Sequence, residues 1–325
     1  MNSYFRGKNL NIELIGGSHS PEIVLLLEGF PIIDVDLEKI QEDINRRKPG
    51  KVGTTTRFEP DVPIIISGIE NGKTTGKLIE VSFENKNYDS NAYSKFYDHP
   101  RPGHVDIISR IKYQDRDFMK GSGHFSGRMT LPLTFVGSLS KQALNLKFES
   151  KLVQVGALYD MEHLEEYLEK VSNLNDSVGG VVEVTVKGLP IGVGGPIFQR
   201  LSAKIAQTVL AIPGTKGIEF GEGFNSVNLF GSQFNDVIID QLGTTKTNHA
   251  GGLSGGITNG NDLVIRVAFR PPSSIKKSQT TYSFETDQLE ELTIEGRHDV
   301  CYVTRALVVV ESMVAIALLD EMLWN

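Results

Sequence analysis

Short apolar or alternating segments recur along the chain, each bounded by Gly, Pro or Asn, and runs with helical spacing separate them. Asn11 to Ile15, Glu22 to Leu27, Pro63 to Ser67, Gly180 to Lys187 and Val264 to Phe269 have the length and β-branched content of strands. Asp36 to Arg47 sets Leu37, Ile40 and Ile44 on one helical face and stops at Lys48-Pro49-Gly50. Asp160 to Leu174 sets Met161, Leu164, Leu168 and Val171 against an acidic face. Pro196 to Ile212 opens with Pro at the first helical position, carries Ile197, Leu201, Ile205 and Val209 as its stripe, and ends at Pro213-Gly214. Tyr302 to Trp324 is the last and most apolar helix. Its stretch from Ala306 to Leu323 includes Glu311, Asp320 and Glu321, too charged for a bilayer span, and predicts a buried helix. No short-period repeat or flexible linker interrupts the alternation, so residues 1–325 are expected to form a single α/β domain.

Composition narrows the chemistry. Lys and Arg number 33 against 40 Asp and Glu, a net charge of −7, so no global basic field for nucleic acid exists. The single Cys, Cys301, excludes an intrachain disulfide and a Cys-based zinc site. The opening MNSYFRGKNL has no apolar run behind a basic start, so no signal peptide, no membrane partner and a cytoplasmic setting are expected. The 33 Gly fall in short clusters, at Gly16-Gly17, Gly121 to Gly127, Gly192 to Gly195 and Gly251 to Gly256.

Six of the seven His lie in Gly-, Pro- or Arg-containing loop segments: His19, His99, His104, His124, His249 and His298. Only His163 is on a helix face. No HExxH, GxSxG, GxxxxGK[ST] or early GxGxxG occurs, and the His spacing suits no metal, so no metal site is expected. Arg46, Arg47 and Lys48 form one basic cluster. Arg101, Arg110, Lys112, Arg116, Lys120 and Arg128 form another, and Arg270 and Arg297 sit beside polar loop residues. Gly lets backbone N–H groups approach a phosphate and Arg offers a planar fork of donors. The residues alone therefore point to an enzyme for small phosphorylated ligands, with His and Asp available for proton transfer; solvated surface charge is the competing reading of the cations.

The motifs, in order, resemble one family. GGSHS (Gly16 to Ser20), RRKPG (Arg46 to Gly50), FEPD (Phe58 to Asp61), SGIENGKTTG (Ser67 to Gly76) and RPGHVD (Arg101 to Asp106) come first. KGSGHFSGRMT (Lys120 to Thr130), GVGGPIFQRL (Gly192 to Leu201), GIEFGEGF (Gly217 to Phe224), NHAGGLSGGITNG (Asn248 to Gly260), RPPSSI (Arg270 to Ile275) and GRHDVC (Gly296 to Cys301) follow. Together they resemble the chorismate synthase family from about Ile12 to Leu323. Departures from the commonest pattern are Gly17 for Glu, Ser20 for Gly, His124 and Phe125 for Arg and Ser, Met129 for Glu, and Gly53 where a second basic residue falls.

The resemblance implies an α/β, or α+β, fold: a β-α-β sandwich with internally related halves, assembled as a homotetramer. It implies an anti 1,4-elimination of phosphate from 5-enolpyruvylshikimate 3-phosphate (EPSP) to give chorismate, using reduced FMN with no net redox. It assigns His19 to the flavin N1 side, His104 to the leaving phosphate and Asp299 to proton removal with flavin N5. Turn-shaping by His104 and capping of the last helix by Asp299 are the structural alternatives. Substrate contacts are implied for Ser18, Arg47, Arg101, Ser126, Arg128 and Arg297, and an NADP contact for Arg47, with NADPH the candidate reductant. FMN contacts are implied for His124, Phe125, Ser126, Pro213, Gly214, Gly255, Arg270, Pro271, Pro272, Ser273, Ser274 and Arg297.

Overall fold

The computed structural model describes residues 2–55, 59–86, 95–114, 120–296 and 298–323. In chain order the first part runs β1 (Asn2–Arg6), β2 (Asn11–Gly16), β3 (Glu22–Glu28), α1 (Leu37–Arg47), β4 (Ile64–Ser67), β5 (Ile69–Glu70), β6 (Lys73–Thr74) and β7 (Ile79–Glu84). The middle holds α2 (Asp106–Tyr113), α3 (Thr130–Leu144), β8 (Lys147–Val155), α4 (Leu164–Asn173), β9 (Gly180–Lys187), α5 (Leu201–Leu210), β10 (Thr215–Phe220) and α6 (Gly231–Phe234). Two hairpins, β11 (Leu253–Ser254) with β12 (Ile257–Thr258) and β14 (Gln279–Ser283) with β15 (Gln288–Leu292), flank β13 (Leu263–Phe269), and α7 (Val303–Met322) closes the chain.

Two antiparallel sheets face each other across a helical layer. The first has the order β1-β2-β3-β7-β4, the second β10-β13-β9-β8. Period-two alternation gives each sheet one apolar face. Ile23, Leu25 and Leu27 of β3 and Ile79, Val81 and Phe83 of β7 are fully buried, as are Val182, Val184 and Val186 of β9 and Leu263, Ile265 and Val267 of β13. Helix α3 packs on β3, α7 packs on β8 and β9, and α3 packs on α7. At that crossing a Cβ on Gly137 would collide with Ser312, so only Gly permits the approach. This is the β-α-β sandwich, with one hydrophobic cluster running through both sheets.

Of the four helices expected from the sequence, three form where their signals place them, that from Asp160 opening as a 3₁₀ turn at Met161–His163, and one does not; α2, α3 and α6 form where none was expected. Asp36 caps α1, its carboxylate accepting from the Glu38 and Lys39 amides. The helix expected from Pro196 to Ile212 is broken instead: Ile197–Gln199 forms a 3₁₀ turn, and α5 begins only at Leu201. Ile197 has φ +51° and is 72% exposed, so it leaves the predicted apolar stripe. The Leu201 amide donates to Gly256 O at 2.8 Å, and this tie to the β11–β12 turn sets the later start.

Two charged features pin the helical layer. Glu311, 2% exposed on α7, pairs with Arg46 at 2.5 Å and Lys141 at 3.0 Å and accepts from the Ser150 hydroxyl; Lys141 also meets Asp43 at 2.6 Å. Near the other end of α7, the Asp320 carboxylate accepts the amides of Lys8, Asn9 and Leu10 at 2.9, 2.7 and 2.8 Å, closing the turn between β1 and β2. No helix among the described residues is long and apolar enough to cross a membrane.

Candidate active site

The loops at one end of the first sheet converge on the segment before α3. The turn between β2 and β3 carries Ser18 and His19, and the Ser18 hydroxyl donates to Gly121 O at 2.6 Å. A Cβ on Gly121 would run into the His19 ring, and Gly121 has φ +59°, so glycine is required on both counts. The next residue, Ser122, has its hydroxyl 3.1 Å from His104 Nε2. Two consecutive residues therefore touch the two imidazoles expected to move protons.

His104 stands in a charged clamp. Its Nδ1 lies 2.6 Å from Asp106 Oδ1. Arg101 donates to Asp106 through Nε at 2.7 Å, Nη2 at 2.9 Å and its backbone amide at 3.1 Å, and through Nη1 to the Ser274 hydroxyl at 3.1 Å. The Arg101 guanidinium also lies 4.4 Å from the Phe96 ring centroid, and Phe96 packs with Leu292 and Ile294 in a small separate core. Burial would raise the Asp106 carboxyl, but hydrogen bonds from Arg101 and His104 outweigh it and hold it well below the usual carboxylate range. Burial pushes the His104 imidazole below its ordinary value; the nearby Arg101 and Arg270 act the same way and Asp106 opposes them.

The RPPSSI strap closes one side. The Arg270 amide donates to Gly214 O at 3.0 Å, and its guanidinium donates to the Ser273 hydroxyl, which itself donates to Gly103 O at 3.1 Å. Tyr302 donates to Arg270 O at 2.7 Å and Ser177 to Pro272 O at 2.7 Å. Pro213-Gly214, Arg270 to Ser274 and the Arg101–His104 turn are thus one connected wall.

A second wall holds the other arginines. Arg47, 5% exposed at the end of α1, donates to Thr130 Oγ1 at 2.9 Å and to Gly127 O at 3.0 Å, and lies 3.5 Å from Asp61. Burial pushes its guanidinium down to about 9, with Arg128 and Arg305 adding to the effect and Asp61 opposing it. Arg128 pairs with Asp61 and, at 2.8 Å, with Glu59, and donates to Asn85 Oδ1 at 2.9 Å. Asn85 also donates to Gly17 O and Ser20 O, tying Arg128 to the His19 turn. Ser126 accepts from the Arg128 amide at 3.2 Å. Asp299 accepts the Thr55 amide at 2.8 Å and pairs with Arg305 at 2.6 Å; no side chain caps α7, so the carboxylate holds the first-turn arginine instead of the helix amides.

The remaining expected residues are more dispersed. His124 Nδ1 meets Ser3 Oγ of β1 at 2.7 Å, and the half-exposed Phe125 ring lies 6.2 Å from Tyr113. Gly255 is at the exposed tip of the β11–β12 hairpin, and among the described residues no hydrogen bond joins it to the His104 cluster. Arg297, expected at both ligands, lies outside the described residues, as do Phe58 and Arg116. Asp61, Glu59, Asn85, Asp106, Ser122 and Arg305 form much of the site without having been singled out. Asp61, Glu59, Asp106 and Ser122 stand inside recognised motifs, which was the available signal; Asn85 and Arg305 had none.

Among the described residues no group of three or more His, Cys, Asp or Glu side chains could hold a metal ion. The donors are guanidinium, imidazole and hydroxyl groups on tight loops, and the scaffold is a β-α-β sandwich. Together they define an enzyme that handles small anionic ligands. The family model described as chorismate synthase matches residues 10–323. A chorismate synthase from Chitinophaga pinensis is 44% identical over 326 residues, covering 99% of this chain and 97% of the relative. One from Thermococcus gammatolerans is 37% identical, with 98% and 97% covered. A solved chorismate synthase crystal structure superposes with a TM-score of 0.76 at 27% identity, covering 98% of this chain and 93% of the other. The chain belongs to the chorismate synthase family. The family's reaction is the elimination of phosphate from EPSP, the last step of the shikimate pathway; its members are carbon–oxygen lyases, and the family implies a requirement for reduced flavin.

Proposed function

We propose that the loops around Gly121 and Ser122 are the site at which this protein binds EPSP and reduced FMN and releases chorismate and phosphate. The observation that carries this reading is the pair of imidazoles on one turn: His19 packs on Gly121 and His104 meets Ser122. A proton donor for the leaving group and a second imidazole for the cofactor then share one rigid element.

The residues present fit a phosphate-bearing flavin. Arg270, Ser273, Ser274 and Pro213-Gly214 form a connected strap of cation and hydroxyl donors, and Phe125 offers a half-exposed ring face. We assign cofactor binding to these with His124, Ser126, Gly255, Pro271, Pro272 and Arg297, and substrate binding to Ser18, Arg47, Arg101, Ser126, Arg128 and Arg297. Held by these residues, reduced FMN would supply electron density for the elimination with no net redox. His104 delivers a proton to the departing phosphate, His19 holds its imidazole toward the cofactor, and Asp299 is the carboxylate for proton removal. Gly53, standing where a second basic residue falls, favours flavin reduced elsewhere over direct use of NADPH by this chain.

One hydrophobic cluster spanning both sheets supports a single domain over 1–325. The exposed apolar side chains Phe198, Phe224, Val227, Phe230 and Leu242 support a homo-oligomer, the tetramer that the resemblance implies. A cytoplasmic setting accords with the lone buried Cys301. The decisive assay is anaerobic: protein, EPSP and dithionite-reduced FMN are expected to yield chorismate and phosphate in equal amounts. NADPH with oxidised FMN is expected to yield none. Absence of chorismate in the first mixture overturns the reading.

A further inference from the structure

We infer that Asn85 is a positioning residue for the reaction: from the end of β7 its side-chain amide holds the turn of Ser18 and His19 and the guanidinium of Arg128 in one fixed relation. The inference rests on the roles proposed for His19 and Arg128, and it extends the site to a residue outside the set assigned above.

The anchor is the first sheet. The backbone amide of Asn85 donates to Pro21 O at 2.8 Å, one step beyond the Glu22–Glu84 pair that ends the β3–β7 ladder. The main chain at Asn85 is therefore fixed before its side chain makes any contact. That side chain reaches in two directions from a residue only 6% exposed. Its Nδ2 donates to Ser20 O at 2.8 Å and to Gly17 O at 3.2 Å, and its Oδ1 accepts from Arg128 Nε at 2.9 Å.

These roles cannot be exchanged. Backbone carbonyl oxygens only accept and a guanidinium only donates. Turning the amide over would set its oxygen against two carbonyl oxygens and its N–H groups against the Arg128 Nε–H. All three hydrogen bonds would fail together in a buried place, where unpaired polar groups are costly. Among the described residues no other side chain bonds Gly17 or Ser20.

The amide thus spans two sides of the site. On the turn, Ser18 donates to Gly121 O at 2.6 Å and His19 packs on Gly121. On the other side, Asp61 accepts from Arg128 Nη1 and Asn85 from Nε, so two acceptors set the plane of the guanidinium. Without Asn85 the turn is released at two points and Nε at one, and His19 and Arg128 lose their common reference. A misplacement of about 1 Å can cost roughly 10²-fold in rate. A residue needed only to close the sheet would not require this side chain, because its backbone amide already makes that bond.

The test starts from Asn85→Leu, which keeps the shape and removes all three side-chain hydrogen bonds. With EPSP and reduced FMN, kcat/KM of the folded variant is expected about 10²-fold below wild type. In an Arg128→Lys background, where no Nε remains to be held, the same substitution should cost about 10-fold or less. A folded Asn85→Leu within about threefold of wild type overturns the inference, as do costs that simply multiply in the double variant. If Asn85→Leu does not fold, Asn85→Asp decides: it keeps an acceptor for Arg128 and turns an oxygen on Gly17 O and Ser20 O. Its kcat is expected about 10-fold or more below wild type, and an unchanged kcat overturns the inference. Wild-type protein that fails to turn over EPSP would refute the proposed function. Ligand-free crystal structures of wild type and the folded Asn85 variant then decide: a displaced 17–20 turn is expected, and a turn and an Arg128 that both stay in place overturn the inference.

Discussion

Arg46 and Arg47 are neighbours at the end of α1, and they enter two different kinds of charged region. Arg46 turns to Glu311, Asp43 and Lys141 among α1, α3 and α7, where its hydrogen bond to Glu311 pushes its guanidinium above the usual range. Arg47 turns to Asp61, Thr130 and the loop before α3, where burial lowers it to about 9. The first region is built from rigid helices, its charges are matched, and no imidazole takes part. The second leads through Arg128 and Asn85 to the His19 turn, and from Gly121 and Ser122 to His104, a titratable group that burial holds below its ordinary value. Burial of charge alone does not mark a catalytic site. A titratable side chain within the network, held on loops that also bind hydroxyl donors, does.

That contrast can be tested from both sides. The largest effect is expected in the loop region: His104→Ala should lower chorismate formation by roughly 10²–10⁴-fold while circular dichroism and thermal unfolding stay near wild type. Turnover close to wild type would strip His104 of its role. In the helical region Glu311→Gln should do the reverse. It leaves Arg46 and Lys141 short of a buried partner, and urea unfolding should show a loss of roughly 2–4 kcal/mol, below the usual cost of breaking a buried pair because the Arg46 side chain is 42% exposed. Turnover per folded molecule should stay within about twofold; a large loss would erase the distinction between the regions.

The smallest expected effect joins the two properties. The folded-state pKa of His104 lies below its ordinary 6.5 because of burial. As pH falls, the unfolded chain binds this proton first, so stability contributed here is full above 6.5 and declines toward the folded-state value. His104→Gln should flatten that part of the urea midpoint between about pH 7.5 and about pH 5. An equal slope in both proteins would count against the depressed pKa.

Elements with one wet and one dry face were readable. α1 carries its stripe, its Asp36 cap and its Pro-Gly stop in sequence, and β3, β9 and β13 carry alternation or β-branched runs. Helix α3 was not read, because it is buried nearly all round. Its Thr134 and Ser140 look polar, yet their hydroxyls fold back onto Thr130 O and Val136 O. The Pro196 start misled because the tie between Leu201 and Gly256 spans 55 residues, which no local periodicity reports. The site divides in the same way. Its loops were legible as Gly, His and Arg motifs, but pairing was not: spacing cannot show that Asp61 serves both Arg47 and Arg128, or that Ser122 meets His104.

The Asp320 carboxylate has a bearing on how the chain is made. It supplies the acceptors for three amides in the turn between the first two strands, from more than 300 positions further on. Synthesis delivers that turn some 310 residues before its acceptor. Those three turn amides therefore gain their Asp320 acceptor only once α7 has been made and packed, long after β1 and β2 themselves.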